Sequence, residues 1–156
     1  PNRGVQLAVL DADDIADIFR LRAALELEAV RLVFAAGSPL PDSELAVERL
    51  NGLADDASWR EVVDADMAFH RAIIDGVGGE RLARAYSGVQ AEILLCMAHL
   101  RPHYDKPAEV ALEHRELLAP IADRDAELAE QRFRSHLDVA TKNLTNALQA
   151  REEVTA

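Results

Sequence analysis

The chain has 156 residues, 49% of them hydrophobic and 29% charged, which is typical of one globular domain with a buried core rather than of a disordered chain. Its 17 basic and 28 acidic residues give a net charge of −11, which argues against direct binding to a nucleic acid backbone. Aromatic residues make up only 4%, and there are only seven Gly and six Pro. This composition favours helices over sheets and predicts an all-α fold.

Cysteine content and hydropathy bear on the location of the protein. The single Cys96 lies in an apolar run and is predicted to be a buried thiol, and one cysteine cannot form an intrachain disulfide. No apolar run is long enough to span a bilayer, and the residues from Pro1 onward do not resemble a signal peptide. We therefore expect a cytoplasmic protein without a membrane partner.

Hydrophobic periodicity divides the chain into six helical segments joined by short connections. Residues 1–12 lack that periodicity and are predicted to be a linker, and residues 151–156 a tail. The predicted helices cover residues 13–37, 41–57, 59–77, 80–100, 107–122 and 125–150. Short connections imply mostly antiparallel neighbours, so residues 13–150 should form an antiparallel bundle of about six helices.

In the first two helices the periodicity predicts which residues face the core. The first inward stripe is Ile15, Ile18, Arg22, Leu25, Ala29, Leu32 and Ala36, and the second contains Leu45, Leu50 and Leu53.

Four polar residues occupy positions on such stripes where hydrophobic residues are expected. Asp66 and His70 lie one turn apart on the inward face of the third helix, and His114 and His136 lie on the stripes of the fifth and sixth. Each could be a core histidine or aspartate with a partner of its own, but four such residues would need four separate buried partners. A shared metal site explains them together.

One carboxylate and three neutral imidazoles suit a divalent metal ion, and Zn²⁺, Ni²⁺, Mn²⁺ and Fe²⁺ remain open. The four groups could close a tetrahedron or leave two positions open in an octahedron. Elsewhere, His99 and His103 are predicted to be surface residues, while Tyr86 and Tyr104 could line a pocket or simply pack between helices.

Arg22 is the fifth polar residue on an apolar stripe. A buried guanidinium needs an anion, because an unpaired buried charge costs several kcal/mol. Glu26, one turn further along, could supply it as a structural ion pair. A ligand carboxylate could also supply it, gripped between Arg22 and the metal.

The order of these motifs resembles the C-terminal effector domain of FadR-type regulators in the GntR family of transcription factors. The segments that carry the resemblance are Asn2-Arg3-Gly4-Val5, residues 15–26, Asp66-Met67-Ala68-Phe69-His70, Glu113-His114 and Arg134-Ser135-His136-Leu137, and the match covers roughly residues 2–149. One departure is Gly78-Gly79-Glu80, where the family commonly has a Gly-Asn pair.

The resemblance implies an all-helical homodimeric domain that binds a divalent metal through Asp66, His70, His114 and His136, with Arg22 as a clamp for a small carboxylate effector. It also implies a winged-helix DNA-binding domain upstream, through which alone the protein would contact DNA. For the dimer interface we expect the first and fourth helices, since Leu94, Leu95 and Ala98 widen the apolar face of the fourth.

Two other functional classes stay open at the level of sequence. A metal with open positions could activate water in a helical-bundle enzyme acting on a small organic acid. No dedicated base or nucleophile stands out in the sequence, which favours a sensor. A purely structural adaptor would leave the buried ionisable residues unexplained.

Overall fold

The computed structural model describes residues 10–37, 39–99 and 106–155. They form six helices, α1 (Ala12–Ala36), α2 (Pro41–Asn51), α3 (Trp59–Gly76), α4 (Glu80–His99), α5 (Pro107–Ala122) and α6 (Ala126–Thr155). No strand occurs in this part of the chain, so the predicted all-α bundle is confirmed. None of the described helices is both long and apolar enough to cross a membrane.

The ends of the helices follow from local sequence. The Asp11 carboxylate accepts a hydrogen bond from the Asp14 N–H, and the Asp14 carboxylate accepts one from the Asp11 N–H, which caps α1 reciprocally. Ser58 and Glu61 form the same capping box at the start of α3. Gly37 ends α1 in the left-handed conformation at φ 65°, which a residue with a Cβ adopts only at a cost.

Two predicted helix boundaries are wrong. The second helix was expected to reach residue 57 but stops at Asn51, because Gly52, a poor helix former, takes the C-cap position and is followed by turns. The sixth helix continues through the segment predicted to be a tail, since residues 151–155 contain neither Gly nor Pro to end it. Most of the predicted linker lies outside the described residues.

Helix α3 runs through the middle of the bundle and contacts α1, α2, α4 and α5. Helix α1 packs against α6, α4 and α3, while α5 packs against α6 and α2. The main core lies among these helices, and a smaller apolar cluster joins α2, α3 and α5. Its buried members are Leu50, Val62, Ala65, Val110 and Ala111. The three helices predicted to carry the metal ligands therefore meet in the interior.

The inward face of α1 differs from the predicted stripe beyond Arg22. Glu26, Val30 and Val33 are buried, whereas Leu32 is 39% exposed and Ala36 lies at the surface. Thus Leu32, which has the spacing of a core residue, lies at the surface, and Glu26 lies in the core. In α2, Leu45 was also predicted to face the core and is instead 66% exposed.

The prediction for Cys96 is confirmed, since the thiol is buried between α4 and its neighbours, and burial raises its pKa to about 11. Nearby, the Trp59 indole N–H donates to the Met97 carbonyl oxygen over 2.7 Å and ties the start of α3 to the end of α4. The side chains of Ala98 and His99 lie outside the described part of the structure, as do His103 and Tyr104.

Candidate metal centre

Three imidazoles from three helices converge in the interior of the bundle. The Nε2 atom of His70 on α3 lies 3.3 Å from Nε2 of His114 on α5 and 3.3 Å from Nε2 of His136 on α6. The ligand atoms of the three residues all lie within 4.8 Å of one another. His70 and His114 are fully buried, and the side chain of His136 is 11% exposed.

Acceptors on the outer side of the rings fix their orientation. His70 Nδ1 lies 2.8 Å from Glu26 Oε2, and His114 Nδ1 lies 2.7 Å from the Val110 carbonyl oxygen one turn earlier in α5. Neither acceptor can donate a proton, so each Nδ1 carries the hydrogen and each Nε2 presents a lone pair to the centre. Metal-binding histidines are commonly held in this way.

The His136 ring faces a carboxylate on its outer side as well. Its Nδ1 lies 3.7 Å from Glu113 Oε2, which is longer than a hydrogen bond. His136 also borders a surface groove of about 440 Å³ between α5 and α6. It is therefore the histidine of the cluster that is closest to solvent.

Asp66 reaches the cluster from α3. Its Oδ1 lies 3.0 Å from His114 Nε2 and 4.0 Å from His70 Nε2. Burial acts to raise the pKa of this carboxyl, but the close contact with the His114 ring and the positive charge of Arg22 outweigh burial and hold the pKa far below its usual range. The second oxygen, Oδ2, is buried without a hydrogen-bond partner among the described residues. Asp66 is thus an ionised carboxylate with unused acceptor capacity.

Burial keeps the imidazoles of His70 and His136 neutral. It lowers the pKa of His70 to about 4, with a further contribution from the charge on Arg22. The pKa of His136 is lowered too, again chiefly by burial. Neutral rings with free Nε2 lone pairs are the form in which histidine binds a metal.

The donor set fits a divalent ion. Two nitrogen ligands at about 2.1 Å from a single ion are about 3.0–3.4 Å apart when they are neighbours in a tetrahedron or octahedron. The separations of 3.3 Å between the histidines and of 3.0 Å between His114 and Asp66 fall in this range. The lone pairs of Asp66 Oδ2 and of the Nε2 atoms of His70 and His114 cannot satisfy one another, and a cation would satisfy them together.

Arg22 lies beside this cluster and is only 1% exposed. Its Nε donates to Glu26 Oε1 over 2.7 Å, and its guanidinium carbon lies 5.3 Å from the centroid of the Phe19 ring. The Tyr86 hydroxyl on α4 donates to the same Glu26 oxygen over 3.0 Å. The Nη2 atom of Arg22 is buried without a hydrogen-bond partner in the described part of the chain.

The structure therefore brings all five residues singled out in the sequence to one region, with the histidines in direct proximity and Asp66 against two of them. Both readings of Arg22 have support, because Glu26 pairs with Nε while Nη2 is left over. Sequence reasoning missed that Glu26 also contacts His70 and Tyr86. The only signal for this glutamate was its spacing of one turn from Arg22.

Comparison with known proteins agrees with this geometry. The FCD domain family model matches residues 17–139. The HTH-type transcriptional regulator YdhC of Bacillus subtilis (strain 168) is 26% identical over 160 residues, which cover 96% of this chain and 68% of YdhC.

Solved structures share the fold. A GntR transcriptional regulator from Rhodococcus sp. RHA1 has a TM-score of 0.82 at 22% identity, over 94% of this chain and 71% of that one. The metal-free FCD domain of TM0439 has a TM-score of 0.78 at 20% identity, over 92% and 99% of the two chains. The Zn²⁺-bound FCD domain of TM0439 has a TM-score of 0.75 at 21% identity, over 90% and 98%. With its family match, its relatives among GntR-family regulators and its six-helix fold, the chain belongs to the FCD domain family.

Proposed function

We propose that the chain is the effector-sensing and dimerisation domain of a bacterial transcriptional regulator. Asp66, His70, His114 and His136 would hold one divalent metal ion, and Arg22 would hold a small organic carboxylate beside it. When bound, the ion supplies a positive charge to which a carboxylate oxygen can coordinate. The domain would work in the cytoplasm, where such regulators meet DNA.

The observation that carries the metal assignment is the orientation of His70 and His114. Each ring donates outward from Nδ1, to Glu26 and to the Val110 carbonyl, so that both Nε2 atoms turn toward Asp66 and His136. Core histidines that served only to pack would use both nitrogens in hydrogen bonds within the protein. Here the inner nitrogens of His70 and His114 face one another, and neither of them has a proton to share.

Support for the carboxylate comes from Arg22. Its Nη2 is a charged donor buried without a hydrogen-bond partner among the residues that the structure describes, and the charge of Arg22 is close enough to Asp66 to lower the pKa of that carboxyl. Leaving such a group unsatisfied costs about 1–3 kcal/mol or more, and a ligand carboxylate would remove this cost. An acid bound between the ion and Nη2 would be neutralised from two sides.

The output would be a change in DNA binding by a winged-helix domain that precedes residue 13. Helix α1 carries Arg22 and Glu26 and begins at Ala12, directly after that proposed junction. A ligand that contacts α1 can shift its position against α4 and α6 only by the difference in its affinity for the two arrangements. In a homodimer such a shift would alter the spacing of two DNA-binding domains.

Elemental analysis of purified protein, followed by a thermal-shift screen of small carboxylates on the metal-loaded form, tests this proposal. We expect about one divalent ion per chain, with Zn²⁺ the first ion for reconstitution because an FCD domain of known structure holds it. Asp66→Asn should lose the ion, whereas Asp64→Asn on the exposed side of α3 should keep it. No bound ion after reconstitution with Zn²⁺, Ni²⁺, Mn²⁺ and Fe²⁺ would contradict the proposal, and turnover of an acid by the loaded protein would point to an enzyme.

A further inference from the structure

Glu26 contacts the metal cluster, the arginine and a third helix at once. The residue is 0% exposed, and its two oxygens accept hydrogen bonds from different residues. Oε2 accepts from His70 Nδ1 over 2.8 Å, while Oε1 accepts from Arg22 Nε over 2.7 Å and from the Tyr86 hydroxyl over 3.0 Å. A single carboxylate thus joins α1 to α3 and to α4.

We infer that Glu26 couples occupancy of the metal centre to the position of the Arg22 guanidinium and of α4. This inference deepens the proposed function and rests on it. Glu26 is a positioning residue, because it reaches the ion only through His70 and the effector only through Arg22.

Electrostatic attraction and repulsion connect Glu26, Arg22 and the proposed metal ion. One buried volume would contain one anion and two cations. These are the Glu26 carboxylate, the Arg22 guanidinium and the proposed divalent ion next to His70. Its oxygens accept hydrogen bonds from the Arg22 guanidinium, the Tyr86 hydroxyl and the His70 imidazole, and a buried carboxylate that accepts from all three is ionised. In a buried region of low dielectric constant, an anion attracts both cations and the two cations repel each other.

The Glu26 carboxylate is shared between His70 on one oxygen and Arg22 and Tyr86 on the other. When an ion withdraws electrons from Nε2 of His70, the Nδ1–H becomes a stronger donor and binds Oε2 more tightly. The same carboxylate then has less negative charge to offer Arg22 and Tyr86 through Oε1. Metal binding should therefore loosen Arg22 from Glu26 and free the guanidinium for a ligand carboxylate.

The coupling between metal binding and ligand binding is reciprocal. If an ion loosens the pair between Arg22 and Glu26, then a ligand that draws Arg22 away must strengthen metal binding by the same factor. Tyr86 extends this effect to α4, where its hydroxyl is held by Glu26 and its ring is buried in the core. Glu26 thereby links the chemistry of the site to the relative position of α1 and α4.

The test is a titration of Zn²⁺ into metal-free protein at one fixed pH, using a competing chelator, for the wild type, Glu26→Gln, Arg22→Met and the Arg22→Met/Glu26→Gln double variant. Glu26→Gln should weaken Zn²⁺ affinity 10-fold to 100-fold, the range typical of lost outer hydrogen bonds to metal ligands. Arg22→Met should strengthen it, because it removes a buried cation whose charge is felt at His70. A merely structural role for both residues would weaken binding in both variants.

The double variant covers the possibility that Glu26→Gln alone fails to fold with an unpaired Arg22. It removes both charges together, and we expect it to bind Zn²⁺ at least tenfold more weakly than Arg22→Met. Glu28→Gln, an exposed carboxylate on the same helix, is the matched control and should bind as the wild type does.

The outcomes separate this inference from the function on which it rests. Equal affinity in the double variant and in Arg22→Met, or weaker binding by folded Arg22→Met, would overturn the coupling and leave the metal centre intact. No Zn²⁺ binding by the wild type would overturn the metal centre, and the coupling with it.

Discussion

The imidazole of His114 donates from Nδ1 to the carbonyl oxygen of Val110, one turn earlier in α5, over 2.7 Å. Because the acceptor belongs to the backbone, no change of side chain at position 110 can remove it. The helix itself therefore sets the direction of His114 Nε2, which points at Asp66. Of the three histidines, His114 depends least on neighbouring side chains for its orientation.

Replacement of this histidine gives the first prediction. His114→Ala should abolish stoichiometric metal binding and lower the melting temperature of the metal-loaded protein, because a ligand that binds only the folded state stabilises it by mass action. Elemental analysis and thermal melting measure the two effects. His136→Ala should act in the same direction on both.

The metal-free forms provide the control. If the loss of stability in His114→Ala arises from the missing ion, the difference in melting temperature from the wild type should shrink once metal has been removed from both proteins. A variant that retains its full metal content would take that histidine out of the site.

The second prediction concerns the stability of the metal-free protein in mild acid. Burial lowers the pKa of His70 from 6.5 to about 4, so between these values the unfolded chain binds more protons than the folded one. Stability must then fall as the pH decreases from about 6.5 toward 4, by roughly 3 kcal/mol for this one residue. The lowered pKa of His136 acts in the same direction.

Denaturant titrations of the metal-free protein at several pH values between 4 and 7 measure this dependence. His70→Asn, which keeps an amide donor for Glu26 but does not titrate, should show a flatter curve across this range. Equal slopes for the wild type and this variant would show that His70 is not the residue that responds.

The helices and the polar cluster could be predicted from sequence because both depend on local spacing. Asp66 and His70 fall on one face of any helix that includes both, and the stripes of α5 and α6 place His114 and His136 inward in the same way. That these faces would meet was implied by short connections in a bundle. The distances between the groups could not be predicted, since they depend on how α3, α5 and α6 are placed against one another.

The inner face of α1 shows where periodicity fails. A glutamate at position 26 has the same sequence signal as any solvent-exposed glutamate, and Leu32 has the signal of a core residue. Glu26 can be buried because three donors form hydrogen bonds with its oxygens. Two of these donors lie on α3 and α4, far away in sequence. Only the contribution of Arg22 is local enough to be visible in the chain.

The third prediction is that this chain forms a homodimer whose interface includes α4. Leu94 is 42% exposed on this helix, outside the stripe that faces the core. Leu94→Glu should convert the dimer to a monomer, because a carboxylate buried at an interface without a partner costs several kcal/mol. Light scattering at micromolar concentrations measures the change.

Leu45→Glu is the matched control for this substitution. Leu45 lies on α2, away from the proposed interface, and is more exposed than Leu94, at 66%. It should leave the assembly unchanged. A wild-type monomer over this concentration range would contradict the dimer for this chain.

The last prediction separates the two roles of Arg22. Its pair with Glu26 is almost fully buried, with side-chain exposures of 2% and 0%, so Arg22→Met strands a carboxylate and should destabilise the metal-free fold by about 3–5 kcal/mol. The Arg22→Met/Glu26→Gln variant should recover most of this loss, because no charge is left unpaired. Urea titrations of the metal-free proteins measure both values.

The effector role of Arg22 is then tested in the double variant, in which a loss of stability no longer confounds the measured affinity. Calorimetric titration of its metal-loaded form with acetate, succinate and benzoate should show at least tenfold weaker affinity than the wild type for whichever acid the wild type binds, since a hydrogen bond to a charged group contributes about 1.5–3 kcal/mol. Equal affinity in the two proteins, with the expected loss of stability in Arg22→Met, would make Arg22 a structural ion-pair residue and remove it from the effector site.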